Sequence, residues 1–373
     1  MTISSDAVQA ALATVIDPEI RRPITEIGML KGFEISGDRV HVDVFLTIAA
    51  CPMKDAISEG VQRAVGSVDG VKEVTVALEP MSDEQREELR NKLQGPKKEI
   101  SFTKADSLTR IYAIASGKGG VGKSSMTVNL AAAIAAQGKS VGILDADVYG
   151  HSIPEMLGIT AGPTQVNGMM LPPIAHDIKV MSMLPFKPGG IHEPIAARGP
   201  MLHKYVEAFL TDVYWGDLDV LLFDMPPGTG DVPMSVARLL PHAELIVVTT
   251  PQTAAADVAI RAGMLAPAFE QKVFGVIENM SGFACPHCNE PIELFGSGGG
   301  ELVAKTLTEN LGYEIPLLKK VSFDPSLREG GDNGQPLVLS QPTSQVALQI
   351  SSIAETMTNR QRTINDIRLT VIK

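Results

Sequence analysis

"GKGGVGKSS" occupies residues 117–125 and decides the fold of the chain that surrounds it. It follows the apolar run "RIYAIAS" (110–116) and precedes "SMTVNLAAAIAAQ" (125–137), which has helical composition. The stretch fits G-x-x-x-x-G-K-[ST] in the strand–loop–helix context that the pattern needs. Gly117, Gly119, Gly120 and Gly122 let the backbone turn tightly, so its N–H groups can point at phosphate oxygens. The start of the following helix adds partial positive charge there. Lys123 is placed to reach the β and γ phosphates of ATP, and the Ser124 hydroxyl to coordinate Mg²⁺. Lys118, Val121 and Ser125 complete the nucleotide-binding stretch. A glycine-rich turn without a ligand is the bland alternative, and the agreement of pattern and context argues against it.

Working outward, apolar strand-like runs alternate with helical segments: "SVGILD", "IKVMSML", "DVLLFD", "ELIVVTT" and "VFGVIEN". Near-continuous apolar strands are expected where a parallel sheet is covered on both faces. The expected fold is α/β, a doubly wound, mostly parallel sheet over residues 108–373, with ligands at the carboxyl ends of its strands. Two of these runs end in acids. Asp224 closes "DVLLFD" where a carboxylate would hold the water shell of Mg²⁺, and the Gly-Pro-rich "DMPPGTGD" that follows suits a γ-phosphate sensor. "GILDADVYG" carries Asp145 and Asp147. Asp147 is the candidate to position the attacking water, and Asp145 to assist at the metal; helix capping is the alternative for Asp145 and for Asp231. Asn279, ending "VFGVIEN", is a candidate for the adenine edge, with a turn-forming asparagine as the alternative.

Residues 1–93 have a different texture, that of a small α+β domain. A short helical stretch, 7–16, ends at Asp17-Pro18. "VHVDVFLTI" (40–48) alternates with period two, as a half-buried strand does. A helix is expected over 55–65 and a strand over 71–78. Ser82 and Gln85 stand in capping-box spacing at the start of a further helix. The charged, Gly-Pro-containing stretch 94–107 reads as the linker.

The chain has 373 residues, a net charge of −11 and 5% aromatic residues, which argues against a general nucleic-acid partner. Three cysteines are too few for a disulfide framework, so a reducing compartment, the cytoplasm, is expected. No uncharged apolar run is long enough to span a bilayer, and the N-terminus lacks the form of a signal peptide. The C-terminal "MTNRQRTINDIRLTVIK" reads as an ordinary terminal segment rather than a membrane-binding helix.

"FACPHC" (283–288) places Cys285 and Cys288 two residues apart with His287 between them. Two thiolates at that spacing can hold one metal ion or one edge of an iron–sulfur cluster, and such sites usually want four ligands. Neither His287 nor Cys51 is obviously placed to complete the set. A twofold axis would bring two copies of the pair together. Zinc shared by such a dimer and two unliganded thiols are the alternatives.

"KGGVGKS" resembles the deviant Walker A loop of the nitrogenase iron protein, MinD and ParA class, in which the extra lysine, here Lys118, acts across a nucleotide-sandwich homodimer. Position alone leaves a solvated surface lysine equally open. "ASGKGGVGKSS", "DADVYG", "DMPPGTGD", "ENMSGFACPHC" and "LFGSGGGE" together resemble the Mrp/ApbC/Nbp35 family of P-loop iron–sulfur carrier ATPases, from about residue 108 to 339. "DPEI" (17–20) and "CP" (51–52) resemble the MIP18 (DUF59) domain that precedes the ATPase in many such proteins. The chain departs from the family pattern at His151, where proline is frequent, and at Ser125, where threonine is common. The resemblance implies a homodimer that binds a [4Fe-4S] cluster through Cys285 and Cys288, hydrolyses ATP slowly, and passes the cluster to apo-proteins, with scaffold proteins as further partners. Cys51 would assist with cluster or partner, or is a half-buried free thiol. The rival readings are a MinD/ParA-like positioning ATPase without metal cargo, which leaves "CPHC" unused, and a zinc-stabilised adaptor ATPase.

Overall fold

The structure is a computed structural model that describes residues 3–48, 53–94, 100–104, 107–147, 150, 152–186, 199–228, 230–285, 287–288 and 290–359. Along the chain the elements are α1 (Ser5–Leu12), β1 (Leu30–Ser36), β2 (Arg39–Leu46), α2 (Lys54–Gly66), β3 (Glu73–Pro80) and α3 (Asp83–Gln94). Then come β4 (Arg110–Ser116), α4 (Lys123–Ala136), β5 (Val141–Asp145), α5 (Ile153–Met156), β6 (Thr164–Val166), β7 (Met169–Leu171), β8 (Ile174–Ala175) and β9 (Ile178–Ser182). They are followed by α6 (Gly199–Thr211), β10 (Val220–Asp224), α7 (Asp231–Leu239), β11 (Glu244–Thr249), α8 (Thr253–Gly263) and β12 (Lys272–Asn279). The last are β13 (Phe283–Ala284), β14 (Pro291–Ile292), α9 (Gly299–Leu311), β15 (Leu317–Val321), α10 (Pro325–Asp332), α11 (Leu337–Ser340) and α12 (Gln345–Thr358).

These elements form two compact units. The first comprises residues 1–99 with 163–172 and 212–216, so it draws in the β6–β7 hairpin from far along the chain, which a linear reading does not foresee. Its sheet runs β1-β2-β3, antiparallel between β1 and β2 and parallel between β2 and β3. On β2 the alternation works as physics requires: Val40, Val42, Val44 and Leu46 are buried while the residues between them are not. Ile57, Val61 and Val65 recur every fourth residue on α2, and with Val8 and Leu12 of α1 they join the same core. Val166, Met169 and Leu171 of the hairpin belong to it too. The capping box forms: Ser82 N–H donates to Gln85 Oε1 at 2.8 Å and Gln85 N–H to Ser82 Oγ at 3.2 Å.

The second unit is a doubly wound α/β structure around a sheet in the order β15-β12-β11-β4-β10-β5-β9-β8. Every pairing in it is parallel except β8 with β9. The runs that read as buried strands are buried: all five residues of β5, of β9 and of β10. The chain leaves β4 toward β5 and β9, returns to insert β10 between β4 and β5, then continues to β11 on the other side. That reversal makes the carboxyl end of β4 the topological switch point, where ligands of such sheets bind. Helix α4 starts there. From Leu130 onward it is apolar all round because it is enclosed: Leu130, Ala131, Ala132 and Ile134 are buried, as are Met126 and Val128 before them, with α11 and α12 packed beside it. Helices α8 and α9 pack together against β11, β12 and β15. Among the described residues, no helix is long and apolar enough to cross a membrane.

Candidate functional site

The loop between β4 and α4 is shaped by its glycines. Gly120 and Gly122 both take φ of +82°, a left-handed backbone that residues with a Cβ adopt only at a cost. Gly117 is glycine for a different reason: a Cβ there would sit 2.3 Å from the Val258 carbonyl carbon, so α8 docks backbone to backbone against the loop. Val121, 2% exposed, anchors the loop inward, and the Ser125 carbonyl accepts from Asn129 Nδ2 at 2.9 Å. Gly119 is exposed, with nothing within 4 Å of its Cβ position.

Around the start of α4 the structure brings the candidate residues together. Lys123, 6% exposed, donates from Nζ to Asp224 Oδ2 at 2.6 Å, and Asp147 Oδ2 lies 3.7 Å from the same nitrogen. Ser124 Oγ donates to Asp224 Oδ2 at 2.7 Å. Thr127, one turn further along α4, donates to Asp224 Oδ1 at 2.7 Å. Asp224 therefore gathers an ammonium and two hydroxyls at the end of β10. Asp145, at the end of the neighbouring β5, accepts from Ser182 Oγ at 3.0 Å and from the Asp147 N–H at 3.1 Å. Burial pushes its carboxyl well above the ordinary carboxylate range, and the charge of Asp224 adds to the effect. Asp147 accepts from the Gly150 N–H at 3.0 Å. Ser124, Asp224 and Asp145 are hard oxygen donors, the set that suits Mg²⁺. The lysine, now held by carboxylates, is the group that a phosphate would take over.

Lys118 donates to Gln252 Oε1, at the start of α8, at 3.0 Å. Asn279 lies beneath the loop: its Nδ2 donates to the Val121 carbonyl at 2.8 Å, and a Cβ on Gly122 would come within 2.2 Å of that nitrogen. Asn279 is 1% exposed, and its Oδ1 has no hydrogen-bond partner among the described residues. Asp231 opens α7.

Cys285 and Cys288 lie in the turn of the β13–β14 hairpin that follows β12. The hairpin is held by Cys285 N–H to Glu290 O at 2.9 Å and by pairing of Phe283 with Ile292. Cys288 is exposed and Cys285 half-buried. The backbone N–H groups of His287 and Cys288 lower the Cys285 thiol below its usual range, which favours the thiolate that binds metal. Among the described residues, no group of three or more His, Cys, Asp or Glu side chains is arranged to hold a metal. Cys51, His151, part of the 224–231 loop and the C-terminal stretch from 360 lie outside the described residues.

Thr127, Ser182 and Gln252 are site residues that motif reading misses. Only Thr127 left a signal, four residues beyond Lys123 and so on the same helix face.

A family model described as the NUBPL iron-transfer P-loop NTPase matches residues 107–358, and one described as an iron–sulfur cluster assembly protein matches residues 5–78. The iron–sulfur cluster carrier protein of Mycobacterium bovis is 56% identical over 359 residues, covering 95% of this chain and 93% of its own. That of a Synechocystis species is 39% identical over 360 residues, covering 95% and 96%. Among solved structures, a nucleotide-binding protein from Archaeoglobus fulgidus in complex with ADP is 32% identical, covers 71% of this chain and 95% of its own, and superposes with a TM-score of 0.52. The chain thus belongs to the iron-transfer family of P-loop NTPases, with an iron–sulfur cluster assembly domain ahead of the NTPase.

Proposed function

We propose that this protein is an ATP-dependent iron–sulfur cluster carrier. One observation carries the reading: β12 ends under the phosphate loop at Asn279, and the paired thiols of Cys285 and Cys288 follow within the next nine residues of the same segment. The relatives' name as cluster carriers and the ADP bound to the Archaeoglobus protein support it. ATP binds with its β and γ phosphates on Lys123 and on the N–H groups of residues 117–125; Ser124, Asp224 and Asp145 would hold Mg²⁺, which would neutralise charge on the phosphates. Asp147 orients the attacking water. Lys118 leaves Gln252 to reach the nucleotide of a second copy, as an arginine finger does. Two copies of Cys285 and Cys288 then supply four thiolates to one [4Fe-4S] cargo, which is passed to apo-proteins.

Anaerobic reconstitution tests the reading. It should yield brown protein with about one four-iron cluster per two chains. Cys285→Ala and Cys288→Ala should each lose it, and Lys123→Ala and Asp147→Ala should each abolish ATP hydrolysis. A colourless protein, or one that binds zinc in place of iron, sinks the carrier reading in favour of a positioning or zinc-adaptor ATPase. Normal turnover in either ATPase variant removes the role given to that residue.

A further inference from the structure

Glu278 precedes Asn279 on β12 and is 0% exposed. Consecutive strand residues face opposite sides of a sheet, so this dipeptide grips both layers at once. On one face Asn279 holds the phosphate loop through Val121. On the other, both oxygens of Glu278 are engaged: Oε1 accepts from Ser281 Oγ at 2.6 Å and Oε2 from the Gly300 N–H at 2.6 Å. Ser281 leads into the cysteine hairpin, and Gly300 lies in the first turn of α9. Lys320 on β15 pairs with Glu301, and its ammonium also lies in the fields of Glu278 and of Glu293, just beyond β14.

Both grips lack slack. A Cβ on Gly122 would meet Asn279 Nδ2 at 2.2 Å, and one on Gly300 would meet Glu278 Cβ at 2.7 Å. Between strand and hairpin the chain turns through two left-handed residues, Met280 with φ +59° and Gly282 with φ +74°. A methionine in that region is uncommon and needs its neighbours to hold it there. The turn is pinned to β15 and its continuation by Ser281 N–H to Val321 O and Phe323 N–H to Gly282 O, both 2.8 Å.

We propose that Glu278 is a positioning residue that transmits nucleotide occupancy to the cysteine pair: it fixes the hairpin and α9 to the strand end that Asn279 fastens to the phosphate loop. A shift of the loop on binding nucleotide moves Asn279, and Glu278 carries that movement to Ser281 and the hairpin base. The proposal rests on the carrier reading, in which the thiols respond to nucleotide.

The test uses the full chain, cluster-free and anaerobic, with the rate of iodoacetamide labelling at Cys285 and Cys288 read by mass spectrometry with and without Mg·ADP. In the unaltered protein ADP should change the rate about fivefold, the lower end of typical coupling between sites. Glu278→Gln keeps the shape of the side chain and removes its charge. It should bind ADP within about twofold of the unaltered protein and show no nucleotide effect on labelling, and Ser281→Ala should show a reduced one. Three results overturn the proposal: no nucleotide effect in the unaltered protein, a full effect in both variants, or loss of ADP binding in Glu278→Gln, which would make the residue a support of the cradle. If Glu278→Gln does not fold, Ser281→Ala decides between a reduced effect and a full one. Iron content after reconstitution judges the carrier reading separately. Bound cluster without a nucleotide effect sinks only the role of Glu278; a nucleotide effect lost in Glu278→Gln, in a chain that takes up no iron, sinks only the carrier reading.

Discussion

Replacing Asp224 by alanine tests whether the phosphate lysine is a buried cation that needs a counter-charge. Asp224 is 1% exposed and accepts from Lys123 Nζ at 2.6 Å, while Lys123 itself is 6% exposed. Removing one partner of a buried ion pair costs about 3–5 kcal/mol, since the other charge is left uncompensated. Asp147 Oδ2 remains 3.7 Å from the ammonium, which places the cost at the low end, about 3 kcal/mol. The two hydroxyls add little: Ser124 is half-buried and reaches water, and Thr127 Oγ1 already lies 3.1 Å from the Lys123 carbonyl. In a unit of this size each kcal/mol moves the melting temperature by about 2–4 °C, so the nucleotide-free variant should melt roughly 6–12 °C lower. Scanning calorimetry would read the transition of the second unit, with and without ADP in the absence of Mg²⁺. Phosphate oxygens can replace the lost carboxylate, so ADP should raise the melting temperature of Asp224→Ala by more than it raises that of the unaltered chain. A nucleotide-free variant that melts within about 1 °C of the unaltered protein would refute the argument, as would an equal rise with ADP.

Three further outcomes follow from the geometry. Asp145 has a raised carboxyl, so its contribution to stability is present at acid pH and lost as pH rises through its folded value; Asp145→Asn should therefore stabilise the nucleotide-free protein at pH 7 in thermal melts, with the gain vanishing toward the ordinary carboxylate range, while Mg²⁺-dependent ATP binding weakens. Gly122→Ala combines a φ of +82° with a Cβ 2.2 Å from Asn279 Nδ2, and should weaken ADP binding by at least about tenfold in calorimetric titration, with partial recovery when Asn279→Ala removes the clash. Cys285, whose thiol the backbone N–H groups of His287 and Cys288 lower, should be alkylated before Cys288 near neutral pH, and its labelling should persist to lower pH than that of an ordinary cysteine; equal rates by peptide mass spectrometry would remove that claim.

What could be read from the sequence was chemistry confined to a short stretch. The phosphate loop is contiguous, so Gly117, Lys123 and Ser124 announce themselves, and buried parallel strands write long apolar runs that end where Asp145 and Asp224 stand. Ser82 and Gln85 form their capping box for the same reason, since both partners lie within one turn. What escaped depends on the sheet order, which brings together residues far apart in the chain. Ser182 reaches Asp145 only because β9 lies beside β5, and Gln252 receives Lys118 only because α8 docks on Gly117. "LLKKV" gave no strand signal because only Val321 of β15 is fully buried, as expected beside one neighbour at the end of a sheet. Glu278 is the sharpest case. A glutamate inside "VFGVIEN" contradicts the apolar run around it, and a buried acid costs free energy unless donors meet it. That contradiction was visible in the sequence; the pairing was not, because Ser281 lies only three residues on but the second donor, the Gly300 N–H, comes from α9, 22 residues downstream. A charge inside a buried strand is thus a pointer that sequence supplies and only the fold can interpret. Here it points at the junction between the residues proposed to hold nucleotide and the thiols proposed to hold the cargo.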